Sequence, residues 1–203
     1  MDYKNAVLSL LSDIRTLEVM EDAVKEDHNS YLEMYNRIAD AVPEMLKTPM
    51  TVKLLPMVVY GWMPTILGKS VWDESIFELL NRKSGEFTEK EMKTLFGFVN
   101  DSYIGLSKLL HFTDPGHWAI WDSNVYAAIE FIAAGKPDEK IASFCLGNYA
   151  RVNNKHRFEK YQHTLREVSA ETGLPIREIE KRLFYVGRKL KETAKNLQNN
   201  CQK

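Results

Sequence analysis

Cysteine is scarce in this chain. Cys145 and Cys201 are the only two in 203 residues, and neither has a partner at metal-ligand spacing. A four-cysteine iron–sulfur cluster is therefore excluded, and a disulfide framework is not expected. A reduced, cytoplasmic setting follows as the default. Long apolar runs are missing too. No stretch approaches the roughly 20 residues that a bilayer span requires, so no membrane partner is expected. The opening MDYKNAVLSLLSDIR carries acidic residues and no cleavage-like site, unlike a secretory signal. Alternation of period two is also lacking, and with it the signal for strands. There is no internal repeat and no low-complexity linker.

Net charge is nearly absent overall, at −1, but it is unevenly placed. Residues 151–203 carry 13 Lys and Arg against 6 Asp and Glu, a balance of +7, while the remainder sums to −8. A basic C-terminal quarter suits a polyanion, and Lys181, Arg182, Arg188 and Lys189 are its candidate contacts. A solvated helical face explains the same residues equally well.

What the chain has in abundance is helical spacing. Val7, Leu10, Leu11, Ile14 and Leu17 form one apolar stripe, and Tyr31, Met34, Tyr35, Ile38 and Val42 form another, preceded by Asn29 and Ser30 as caps. Pro43, Pro49, Pro56 and Pro64 break the next segment into short pieces. Thr88 and Glu91 of FTEKEM predict a capping box, with Phe87 and Met92 at the staple positions. Further helices are predicted over SNVYAAIEFIAAG, over the segment after Pro137, and over two basic stretches separated by Gly173 and Pro175. The expected fold is all-α, a single helical domain over 1–203 with two lobes, 1–30 plus 123–203 and 31–122, and a cleft between them.

Within that pattern, residues 94–134 stand out: TLFGFVNDSYIGLSKLLHFTDPGHWAIWDSNVYAAIEFIAA. The order is helix, tight turn, helix, loop, then an Asp at a helix start. This stretch resembles the helix-hairpin-helix DNA glycosylase superfamily, which includes endonuclease III, adenine glycosylase and 8-oxoguanine glycosylase. The resemblance places Gly105 in the hairpin and Lys108 where lyase members carry their Schiff-base lysine. Asp122, Asn124 and Val125 of WDSNV match the segment holding the essential Asp. The hairpin SYIGLSK lacks the usual Pro and one Gly, and Lys108 and Asp122 are closer in sequence by about one helical turn.

The resemblance implies a DNA partner and a DNA glycosylase acting on a modified or damaged base, with Schiff-base lyase chemistry at Lys108. No cofactor and no metal are expected. His156 and His163 lie seven apart on one helix, but no Glu or Cys completes a metal set. The physics is consistent. A hairpin between helices directs backbone N–H groups toward a phosphate, at Gly105 and Ser107 here, with Asn124 near the Asp segment. An extruded base needs flat apolar walls, and Tyr60, Trp62, Tyr103, His111, Trp118 and Trp121 are the candidates. A carboxylate at Asp122 would stabilise the positive sugar left by base departure, and an amine at Lys108 would attack it. Bland alternatives stand beside each role. Asp122 before SNVYAAI is a good helix cap, the tryptophans suit a core, and His111 suits a satisfied interior position. Two other functions stay open: a non-catalytic DNA- or protein-binding module, and an enzyme of base hypermodification.

Overall fold

Caps and prolines set the helix boundaries. The computed structural model describes residues 2–12, 31–63, 65–82, 85–134 and 152–201, and among them every regular element is helical, with no strand. The fold is all-α, as the spacing predicts. The helices are α1 (Tyr3–Ser12), α2 (Tyr31–Met45), α3 (Pro49–Val52), α4 (Leu55–Gly61), α5 (Ser75–Asn81), α6 (Glu89–Phe98), α7 (Tyr103–Thr113), α8 (Ser123–Ala134), α9 (Lys155–Thr172) and α10 (Ile176–Cys201). Ile14, Leu17, Asn29, Ser30, Pro64, Gly135, Pro137 and Cys145 lie outside the described residues.

The local devices match the chemistry. The capping box at α6 forms in full, with the Thr88 side chain accepting from the Glu91 amide and the Glu91 carboxylate accepting from the Thr88 amide. The Arg82 hydrogen bond, together with Thr88, holds the Glu91 carboxyl down to about 2. Asn154 caps α9, and Gly173 ends it at φ 72°, the left-handed conformation that glycine enters without strain. Two expectations shift. Pro43 does not end α2, which continues to Met45. Met34 is exposed, so the buried stripe of that helix narrows to Ile38 and Val42, with Tyr35 at its half-buried edge.

The chain divides into two compact units, one of Met1–Glu26 with Trp121–Lys203 and one of Asp27–Ile120. In the first, α8 packs along α10, and α1 lies against α8, α9 and α10. Val7, Val125, Ile129, Phe158, Leu165 and Leu183 fill its interior. In the second, α7 is the central helix. It meets α2, α4, α5 and α6, and every residue from Gly105 to Phe112 is buried. Leu106, Leu109 and Leu110 are buried almost completely, each contributing about 1.5–3 kcal/mol. An apolar helix enclosed on all sides is the setting for a lysine at its centre.

Candidate functional site

The turn before α7 comprises residues 99–102, with Asn100 and Asp101 both left-handed, at φ 62° and 50°. Ser102 caps the helix by accepting from the Gly105 amide at 3.2 Å. Gly105 therefore lies in the first turn of α7, not in the hairpin. It is buried, and a Cβ there would meet the Tyr60 hydroxyl at 3.0 Å, so glycine admits the close approach of α4. Ser107 is also buried, its hydroxyl bonded to the Ile104 carbonyl. Neither residue faces solvent, which corrects their expected phosphate role. The exposed residue of the turn is Asp101, paired with Lys69 at 3.1 Å, and its negative charge disfavours a phosphate.

Lys108 is only 5 % exposed. Its Nζ lies 4.5 Å from the centre of the Trp62 ring, a cation–π contact. Trp62 also packs against Tyr35 and Phe112, with ring centres at 5.8 and 5.4 Å. His111 is fully buried, one helical turn beyond Lys108. Its Nδ1 is 2.7 Å from the Trp118 carbonyl, and its Nε2 is 2.8 Å from the Tyr35 hydroxyl. A carbonyl oxygen only accepts, so Nδ1 carries a proton and Nε2 is left to face Tyr35. Trp118 is buried and stacks on Phe87, while Tyr103 is half-buried against Phe96 at 4.5 Å. His117 is half-buried beside Gly85 and Trp118.

Asp122 belongs to the other unit. Its Oδ1 accepts from the Asn124 and Val125 amides at 2.8 and 2.9 Å, and it is the N-cap of α8. Trp121 is fully buried there, its indole N–H bonded to the Val152 carbonyl and its ring tilted against Tyr161, so it offers no free face to a base. Lys191 reaches the start of the same helix and donates to the Ser123 hydroxyl at 2.6 Å.

The main residue that sequence reasoning misses is Glu180. It is 1 % exposed, on α10, hydrogen-bonded and ion-paired with Arg177. Burial pushes its carboxyl up to about 7, against the opposing charge and hydrogen bond of Arg177; the negative charge of Asp122 adds to the rise. The hydroxyl of the fully buried Tyr161 is likewise pushed well up by burial, then by the charges of Glu180 and Asp122. The signal was present. Ile176, Ile179, Glu180, Leu183 and Gly187 share one buried stripe, so an acid interrupts an otherwise apolar face.

The basic residues of α10 are partly engaged. Lys181 and Arg182 both reach Glu178, at 3.9 and 3.3 Å, and Arg188 pairs with Glu192 at 3.2 Å. Lys189 is exposed. A groove between α5 and α6, lined by Ser75, Glu78, Arg82, Thr88, Glu91 and Thr94 among others, includes none of the expected site residues. No group of His, Cys, Asp and Glu suited to a metal ion occurs among the described residues. None of their helices is long and apolar enough to cross a membrane. Compared with protein-family models, curated proteins and solved structures, the chain matches none.

Proposed function

We propose that this chain acts on DNA in the manner of a glycosylase with lyase chemistry, using Lys108 as the amine that attacks the sugar. The observation that carries the proposal is the buried amine. Placing an ammonium group inside an apolar helix costs several kcal/mol before compensation. Such a group, held by an indole in a cluster of aromatic rings, is a functional candidate. The flat faces around the amine suit a base or sugar. Asp122 is the carboxylate assigned by the resemblance. Its two backbone hydrogen bonds fix its orientation, as electrostatic preorganisation requires.

The test is borohydride trapping on duplexes carrying modified bases or an abasic site. Wild type should form a covalent adduct and Lys108→Gln should form none, because only an amine gives a Schiff base. An adduct that persists in Lys108→Gln, or no adduct with any duplex, removes the lyase assignment.

A second reading, a non-catalytic binding module, has its own observation. The residue at the tip of the α6–α7 turn is Asp101, and an acid there opposes a phosphate. A folded protein that binds no duplex, with or without a modified base, would favour that module in its protein-binding form.

A further inference from the structure

The outer face of α3 and α4 is apolar where it meets solvent. Lys53 and Leu54 join the two short helices and keep right-handed helical dihedrals, so residues 49–61 continue one helical path. On its inner side Val52, Leu55, Pro56, Val59 and Tyr60 are buried. On the opposite side, at steps of four, three and four residues, stand Met50, Leu54, Met57 and Gly61. Met50 is 73 % exposed, Leu54 47 % and Met57 62 %. A Cβ at Gly61 would meet nothing within 4 Å, so the stripe is open at its C-terminal end. The solvent side of a surface helix is ordinarily polar, and steps of four and three are the spacing of a coiled-coil seam. Apolar side chains exposed singly need no explanation, but a row of them in register marks an interaction surface.

Its charge is one-sided. Residues 45–72 contain Lys47, Lys53 and Lys69 and no acidic residue. Lys53 flanks the stripe, its ammonium 4.7 Å from the centre of the Trp72 ring, and holds no ion pair among the described residues. Lys47 and Lys69 pair with Glu44 and Asp101, which lie outside that segment, at 2.6 and 3.1 Å. These four side chains are at least half exposed. Such pairs hold little energy and exchange for other acids.

We propose that this stripe docks an amphipathic helix of a partner protein, apolar along one seam and acidic beside it. The inference stands apart from the lyase reading. Apolar residues of the partner, at the same steps of four and three, would fill the spaces between Met50, Leu54 and Met57. Methionine side chains adapt to such shapes, and Gly61 lets the partner's backbone come close. Asp or Glu beside the partner's seam would meet Lys53. Other occupants fit less well. A second copy laid seam to seam would bring like charges together. Lipid-binding clusters carry about four to eight Lys or Arg and a broad apolar face, against three lysines and a single row here.

The experiment uses the full chain and a fluorescein-labelled peptide of three heptads, with Leu at a and d, Glu at e and g, and Ala and Gln elsewhere. Anisotropy reads binding. A twin peptide with Lys at e and g, phosphatidylserine vesicles and an undamaged duplex are the comparisons. The acidic peptide should bind about tenfold more tightly than its twin and weaken as salt screens the charges. Met57→Glu and Gly61→Glu should each weaken it about tenfold with little change in the thermal melt, because both positions are exposed. Lys53→Gln should narrow the difference between the two peptides. Equal binding of the twins overturns the proposal, as does binding that a folded Met57→Glu protein leaves unchanged. No binding of the acidic peptide overturns it too. Vesicle or duplex binding that is lost in Met57→Glu, with neither peptide bound, assigns the stripe to lipid or DNA instead. The borohydride assay, on which the lyase reading depends, is independent of all these outcomes.

Discussion

Gly187 of α10 lies directly against the backbone of Asn124 at the start of α8. A Cβ at Gly187 would stand 1.8 Å from the Asn124 carbonyl oxygen and 2.5 Å from its carbonyl carbon. The obstructing atoms are main chain, so no rotamer change relieves the clash. Glycine here lets the two helices touch.

Gly187→Ala should therefore destabilise the protein. The added methyl improves helix propensity by about 1 kcal/mol, but overpacking against a backbone costs about 1–3 kcal/mol or more. The clash should win, and α8 should be displaced at the residues adjoining Asp122. Chemical denaturation checks this, and a variant as stable as wild type would show that the helices separate cheaply.

Glu180 should give the protein a pH-dependent stability near neutrality. Its carboxyl is raised from 4.5 to about 7 in the folded state. The native state thus holds the proton more tightly than the unfolded chain. That contribution is fully present below the ordinary carboxylate range and is lost as pH rises through about 7. Its size is a few kcal/mol. Denaturant midpoints should fall from acidic to mildly alkaline pH in wild type, and Glu180→Gln, which mimics the protonated acid, should remove that part of the fall. Identical pH curves for the two proteins would place the titration elsewhere.

Asp122 separates a cap from a catalyst. Asp122→Ala should lose about 0.5–2 kcal/mol through its two amide bonds, whatever the function. Asp122→Asn keeps an acceptor for both amides and should be nearly silent in thermal melts. Under the glycosylase proposal, base release should nevertheless drop by orders of magnitude in Asp122→Asn, since the charge opposite the sugar cation is gone. Full activity in that variant would leave Asp122 as a cap alone.

Lys181, Arg182, Arg188 and Lys189 test the DNA partner. Their pairs with Glu178 and Glu192 are at least partly exposed, hold little energy, and can be exchanged for phosphates. Replacing all four with Gln should weaken duplex binding and make the slope of log affinity against log salt shallower by about 3–4. An unchanged slope in a filter-binding or anisotropy titration would assign these charges to solvation.

Sequence alone determined the local features. Helical period, the Thr88–Glu91 box, the Gly173 terminus and the Asp122 cap are each set by residues within a few positions of one another, where propensity and hydrogen-bonding reach act directly. Tertiary packing decided the rest. Gly105 looked like a hairpin glycine until Tyr60, 45 residues earlier, proved to be what requires it. Trp121 looked like a candidate wall until Val152 and Tyr161 enclosed it. Tyr35 read as one more core aromatic, yet its hydroxyl meets a histidine 76 residues away. Glu180 became a proton-holding group only through its burial, with the charge of Asp122, 58 residues away, adding to the rise. Burial and long-range charge depend on the whole set of neighbours, and no window of sequence contains that set.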